Sequence, residues 1–314
     1  MLTRMWIRRA SAALAALFLL PFASAQVPAE QRWQPLASVG MDGWVNAFTM
    51  DAQGRAWVGG TFRFVGGANS PSIAFHDGSR WVGAGEGFDD AVTAMAPGAA
   101  AGEVFVGGRF STSGASPVRG LARWDGARWR EVGGGILREP GSEALEVFDL
   151  ALDPGSGTLY VAGRFRTVSG VSVLGIARHS AATGWQVLPS APGFAVGRLA
   201  WDAANGRLVA GGIPFGGELS GLAVFRSGVW TRITGPGNAY FAVDDLAVGG
   251  NGEVIVAASL GGRALHRLLP DSQLIPLEVE GEVTSVAYDA SRGVIVACCG
   301  HRVGSTAGPR ILSI

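Results

Sequence analysis

Lysine is absent from the 314 residues, and charged residues of all kinds reach only 16%, against about 25% in an average soluble domain. With Arg and Ala abundant, the missing Lys reads as the mark of a GC-rich bacterial genome. Neither sign of charge is in excess, because the formal net charge is zero. That removes the electrostatic case for a nucleic-acid or anionic-membrane partner. Cysteine is scarce, with Cys298 and Cys299 the only two. Adjacent Cα atoms lie ~3.8 Å apart, below the usual disulfide range of ~4.4–6.8 Å, and strand neighbours point to opposite faces. Two unbridged thiols are expected. The chain carries no Asn-x-Ser/Thr sequon, Gly-x-Ser-x-Gly elbow, phosphate loop, His-Glu-x-x-His or EF-hand loop; the chemistries those motifs announce lose their usual signature. No cofactor and no metal are expected. Hydrophobic residues, at 48%, supply ample core material, which excludes disorder from lack of it.

Long apolar runs are also missing, except for Ala10 to Phe22. That run is too short to span a membrane, which takes about 20 residues. Arg4, Arg8 and Arg9 precede it and Ala23-Ser24-Ala25 follows, the three-part pattern of an export signal. Cleavage is expected before Gln26, with no Cys there to carry a lipid; an uncleaved anchor is the alternative. The expectation is a signal peptide at 1–25, a single domain at 26–314 without a membrane span, and a secreted or periplasmic location.

What is abundant is repetition. Trp33, Trp81 and Trp129 are 48 residues apart, and Trp185 and Trp230 follow. Small pairs close an apolar segment at Gly59-Gly60, Gly107-Gly108, Ala162-Gly163 and Gly211-Gly212, with weaker copies at Ala257-Ala258 and Ala297-Cys298. A third marker begins at Val45, Val92, Val147, Val196, Val243 and Val283. Three positions after each Val stands a large apolar residue, and turn residues follow, such as Asp51 to Gly54 and Asp202 to Gly206. An apolar-Ala pair (Ile73-Ala74, Leu121-Ala122, Ile176-Ala177, Leu222-Ala223) is a fourth. Each unit therefore holds four short strands: a with the Val, b ending at the small pair, c with the Ala and d with the Trp. Four strands per ~48 residues without helical periodicity is the signature of propeller blades. The expected fold is an all-β six-bladed β-propeller with blades at about 44–82, 91–132, 146–188, 195–233, 242–279 and 282–314. The Gly pairs are expected to allow strands or neighbouring blades to approach closely.

The last unit lacks a strand d, while 32–39, around Trp33, is a strand d with nothing before it. Pairing it into the C-terminal blade closes the ring and removes the exposed edges.

These motifs resemble the kelch-type β-propeller repeat of the galactose-oxidase/kelch class. Gly107-Gly108-Arg109-Phe110 with Ala122-Arg123-Trp124-Asp125-Gly126-Ala127-Arg128-Trp129 is the cleanest copy. Its longer wording is similar to repeats of the fungal cortical cell-polarity marker and of secreted bacterial propellers. The resemblance is strongest through residue 185, departing in unit five, which has no Trp, and in unit six, where Cys298 replaces a Gly. The shared residues are structural, so the resemblance implies no catalytic residue. Three Tyr and four His do not reproduce the copper ligands of the family's oxidases.

Connections b–c and d–a fall on one face and are longer than a–b and c–d, for example Thr61 to Ser72 and Arg109 to Gly120. Long irregular loops on a rigid scaffold are where binding usually sits. Near the starts of strand a stand Asn46, Asp149, Arg198, Asp244 and Asp245. The sharp reading is a carboxylate–guanidinium cluster at the channel mouth that binds a polar ligand; the bland and favoured one is mutual neutralisation among rim residues. His76, His179 and His266 are placed in one column on strand c; a whole blade separates such positions, so they cannot share an ion and are read as packing residues. His301, beside the cysteines, is a further candidate. The favoured function is a monomeric, non-enzymatic binding or scaffold protein engaging a protein or glycan of the cell envelope through its long-loop face. The alternative is a hydrolase or lyase using the acidic and Arg residues at the mouth.

Overall fold

The structure is a computed structural model. It describes residues 40–136, 145–173, 175–189, 192–212, 221–235, 241–249, 252–260, 263–277, 279, 283–289, 294–299 and 311–313. The expected signal peptide, the strand at 32–39 with Trp33, and His301 lie outside the described residues.

Among these residues the chain is all-β. The first sheet runs Val45–Met50, Ala56–Gly60, Ile73–His76 and Trp81–Gly83, in the order a, b, c, d; the second runs Val92–Pro97, Val104–Gly108, Leu121–Trp124 and Trp129–Glu131. The third comprises Glu146–Asp153, Thr158–Arg164, Ile176–Ser180 and Gly184–Val187, and the fourth Val196–Asp202, Arg207–Gly212, Leu222–Arg226 and Val229–Ile233. Asp245–Val248, Val254–Leu260, Arg263–Leu268 and Leu274–Pro276 form the fifth. A sixth has three described strands, Val283–Asp289, Val294–Cys299 and Ile311–Ser313. All pairings are antiparallel between consecutive strands, as short turns demand.

The repeat markers have distinct jobs. A Cβ placed on Gly59 would stand 2.4 Å from Val92 Cγ1 of the next sheet; on Gly107 it would meet Val147 Cγ1 at 2.4 Å, and on Gly211 Val243 Cγ1 at 2.6 Å. The first glycine of the pair is thus a hole for the Val that opens the next unit. The second glycine faces inward: a Cβ on Gly60 would meet the Trp44 carbonyl oxygen at 1.9 Å, and on Gly108 that of Ala91 at 2.1 Å. Both members of the pair serve close approach, one between sheets and one within a sheet.

Five apolar clusters each join two successive sheets, from first–second through fifth–sixth. The knob valines Val92, Val147, Val196, Val243 and Val283 are all buried, each contributing roughly 1.5–3 kcal/mol of burial. Strand a of each sheet packs beside strand a of the next, from first to sixth; packing of that extent between 283–289 and 45–50 is not found among the described residues.

Strand d tryptophans stand directly opposite a ring on strand c: His76 with Trp81, Trp124 with Trp129, His179 with Trp185 and Phe225 with Trp230. Ring centroids are 5.0 to 5.2 Å apart. The indole N–H of Trp129 donates to Ala84 O and that of Trp185 to Gly133 O, both at 2.9 Å, on the linkers leaving the preceding sheets.

Two expectations need correction. The b–c connections of the first three units are not irregular: each carries a two-stranded hairpin, Phe64–Val65 with Ala68–Asn69, Thr112–Ser113 with Ser116–Pro117, and Thr167–Val168 with Val171–Ser172. Tight turns at Gly66-Gly67 and Ser169-Gly170, all with positive φ, provide the left-handed backbone that two-residue hairpins need. His266 also leaves the column of His76 and His179. It pairs with Val256, next to the small pair, whereas His76 pairs with Ala56, three residues before it. In unit five the b–c connection is so short that strand c starts at Arg263, opposite Leu260, which moves the histidine along the strand by two residues.

Candidate functional site

The sequence singled out the starts of strand a, and a shared irregularity builds that region. The a–b register slips between Val45 and Ala47, Val92 and Ala94, Val147 and Asp149, Val196 and Arg198, and Val283 and Ser285. A bulge inserts one unpaired residue and re-aims those around it. The five candidates therefore divide between two positions. Asn46 lies at the bulge, as does Asp244 by equivalence, because Asp245 is paired with Ala257. Asp149, Arg198 and Asp245 lie just after it.

Each of these positions reaches the next sheet. Asn46 Nδ2 donates to Val92 O at 3.3 Å. Thr93, which sequence reasoning missed, donates its hydroxyl to Val147 O. Asp149 accepts from its own Leu150 amide through Oδ1 and from the Leu199 amide of the fourth sheet through Oδ2, both at 2.8 Å. Arg198 Nε donates to Asp244 O at 2.6 Å. Asp245 accepts from Leu246 N through Oδ1 at 2.9 Å, and through Oδ2 from Ser285 Oγ at 2.8 Å and Val286 N at 3.0 Å, both on the sixth sheet.

A chain of hydrogen bonds thus runs from the first strand a to the sixth. Strand a is the last strand on its side of each sheet, so amides on that edge have no ladder partner. The two carboxylates each bridge equivalent amides on neighbouring strands, satisfying groups whose loss would cost about 1–3 kcal/mol each. All five candidates are half-buried. These bonds tie each of them to an adjacent strand. The signal for Thr93 was present, since it holds the bulge position of its unit, but the bulge itself is not written in any residue type.

At the opposite end of strand a, a cavity of about 150 Å³ is lined by Ala96, Pro97, Leu150, Pro154 and Trp201 among others. Its lining side chains are apolar, and they include Leu150, next in sequence to Asp149. Groups of three or more His, Cys, Asp or Glu arranged to hold a metal are not found among the described residues. Of the strand c histidines, His179 and His266 have their pKa lowered by burial. Among the described residues no helix is long and apolar enough to cross a membrane.

The long-loop face is the more regular surface. Asp42 Oδ1 accepts from the amides of Arg63 and Phe64, both at 2.8 Å, and Asp89 Oδ1 accepts from those of Ser111 and Thr112 at 2.8 and 3.0 Å. Each carboxylate stands on the linker entering strand a and pins the hairpin of the same unit. In the third unit Ser169 Oγ donates to Gly133 O at 2.6 Å. The bonds from Phe64 N cause Asp42 to titrate below the usual carboxylate range, with those from Arg63 adding to the effect.

No family model matches the chain, and no curated protein matches it. Solved structures do. The extracellular domain of a one-component system of B. thetaiotaomicron aligns over 88% of this chain and 38% of its own, at 15% identity and a TM-score of 0.51. That of a hybrid two-component system of the same organism aligns over 83% and 37%, at 14% identity and 0.50. The WD40 repeats of RRP9 align over 82% and 74%, at 14% identity and 0.52. The chain spans less than two fifths of the length of the two extracellular domains. These likenesses define the class by fold: an all-β repeat protein of four-stranded antiparallel sheets with a propeller among its structural neighbours.

Proposed function

We propose that this chain is an exported, monomeric binding or scaffold protein of the cell envelope. It forms a six-bladed, kelch-like propeller that engages a protein or glycan through the face bearing the hairpins. Export rests on the N-terminal signal pattern and on the extracellular setting of two structural neighbours. The observation that carries the binding reading is the ordered hairpin face. Three hairpins in successive units project on one side, pinned by Asp42, Asp89 and Ser169, with Arg63, Phe64, Arg166 and Val171 exposed on them or at their edges. Rigid elements presenting adaptable side chains keep the ordering cost of binding low.

Ring closure by 32–39 is supported from within the described residues. Asp42, on the chain entering the first strand a, holds that unit's hairpin as Asp89, on the linker from the first to the second sheet, holds the next. By that equivalence residues 40–44 match the end of a d-to-a linker, which is what closure by a preceding strand d requires.

The test is an unbiased protein and glycan screen on residues 26–314, repeated with Arg63→Ala/Phe64→Ala and with Asp149→Ala/Asp245→Ala. Loss of a partner with the hairpin pair alone supports the face; absence of any specific partner counts against it. Turnover of a substrate that disappears with the aspartate pair would favour the hydrolase or lyase reading.

A further inference from the structure

The cavity at the turn end of strand a crosses three sheets. Ala96 and Pro97 come from the second, Leu150, Leu152 and Pro154 from the third, and Trp201 from the fourth. Its volume is about 150 Å³, the size at which an apolar cavity holds one benzene ring. Every lining side chain is uncharged, so a carboxylate or ammonium entering it would lose hydration without gaining a partner.

The indole nitrogen of Trp201 is the one hydrogen-bonding donor among those side chains. It is buried and has no partner among the described residues. Elsewhere the fold pairs such groups: Trp57 donates to Asp51 Oδ2, Trp129 to Ala84 O and Trp185 to Gly133 O, each at 2.9 Å. Trp230 Nε1 is also unpaired, but Trp230 does not line the cavity. The repeat does not ask for an indole at this place. Met50, Pro97, Leu152, Val248 and Tyr288 hold the position of Trp201 in the other units, and all but Tyr288 lack a side-chain donor. Bulk is common to the column; the N–H is particular to the fourth unit. The ring is held in place by Tyr160 of the third sheet, on which it stacks with centroids 5.5 Å apart and planes 15° from parallel.

We propose that the cavity is a binding site for a small uncharged molecule with an apolar body of about one ring and a hydrogen-bond acceptor. The body packs on Pro97, Leu150 and Leu152, and the acceptor takes the Trp201 N–H, whose burial otherwise goes uncompensated. The inference is independent of the hairpin-face reading, since failure to find a protein or glycan partner would leave it standing.

The test titrates the exported chain, with ¹⁵N-labelled indoles, against acetophenone, toluene and benzoate. All three carry one ring; toluene lacks an acceptor and benzoate adds a charge. The Trp201 signal is identified through its contact with the Tyr160 ring. Acetophenone is expected to move the indole proton downfield in a saturable way, toluene to bind without that shift, and benzoate to leave the signal unmoved. In Trp201→Phe, which keeps a ring on Tyr160, the affinity for acetophenone should fall about three- to tenfold while that for toluene holds, read from the Tyr160 ring signals. A Trp201 signal that none of the three moves means that water alone fills the cavity, and overturns the proposal. Acetophenone bound without the downfield shift, or equal losses of acetophenone and toluene in Trp201→Phe, overturns the role of the N–H. Benzoate bound as tightly as acetophenone overturns the uncharged class. The shift in the wild-type chain needs no substitution, so it decides the matter even if Trp201→Phe does not fold.

Discussion

The turns that end strand a in the first and fourth units use the same pair of residues to different ends. In the first, Asp51 meets Arg55 at 2.7 Å, with the guanidinium side chain 25% exposed. That carboxylate also accepts from the Trp57 indole at 2.9 Å and from the Gln53 and Arg55 amides. Burial alone would raise its pKa, but the bonds from Trp57 and Arg55 outweigh burial and hold it below the ordinary value. Arg55 itself reaches the next sheet through Gly102 O at 3.5 Å. In the fourth unit Asp202 meets Arg207 at 2.8 Å, and both side chains are 1% exposed or less. Here the guanidinium is the centre. It donates to Leu269 O at 3.0 Å, Pro270 O at 3.1 Å and Gly252 O at 3.4 Å, all on turns of the fifth sheet. The first pair serves its own turn, while the fourth fastens two sheets together.

The largest expected effect breaks that contrast directly. Arg207→Met leaves Asp202 buried without its cation and Pro270 O without the Arg207 donor, while Gly252 O keeps Asn205 Nδ2 and Leu269 O keeps the Ser272 amide, and it should cost about 3–5 kcal/mol. Adding Asp202→Asn should recover part of the loss. Arg55→Met should cost only about 1 kcal/mol, because Asp51 keeps its other donors. Urea unfolding of the three variants checks this, and equal losses for Arg207→Met and Arg55→Met would remove the distinction. Next in size is Gly107→Val, which forces a side chain into the space of Val147 and should cost about 3 kcal/mol. Ala162 fills the same column in the third unit and is fully buried there, so Gly107→Ala should cost clearly less. Smaller again is Asp149→Ala, about 2 kcal/mol, since it strands the Leu150 and Leu199 amides. Asn46→Ala, which removes one longer bond, should cost less than 1 kcal/mol on the same scale.

These cases also mark what could be read before any coordinates. Strand positions, the Gly pairs, the knob valines and the tryptophans were legible because each solves the same packing problem in every unit, so repetition exposes it. The bulge was not. It breaks the period-two rule from which side-chain direction is inferred, and Asn46 and Asp149 therefore looked like members of one rim. The hairpins were hidden for a different reason. Their Gly, Ser and Pro content is that of an irregular loop, and the groups that pin them lie far away in sequence, 22 residues for Asp42 to Phe64 and 36 for Ser169 to Gly133. Arg207 had no repeat signal, because its turn spaces it five residues from Asp202 where Arg55 is four from Asp51.

The smallest effect concerns the strand c histidine that leaves the shared column. His76 Nδ1 accepts from the Gly78 amide at 3.1 Å, and the ring lies against Trp81 at the turn end of the strand. His266, displaced along its strand, is 3% exposed, and its Nδ1 has no partner among the described residues. Burial lowers its pKa from 6.5, only partly countered by a bond to the Leu260 backbone. The unfolded chain then takes up a proton on this side chain at a higher pH than the folded one does. Its share of stability is complete above about pH 6.5 and is lost as pH falls from there through the lower folded value. His179, also lowered by burial, adds to the same slope. His266→Phe should therefore flatten the loss of stability below pH 6.5, as measured by urea midpoints from pH 7.5 down to 5. A curve that His266→Phe left unchanged would mean that burial of this ring has no electrostatic consequence.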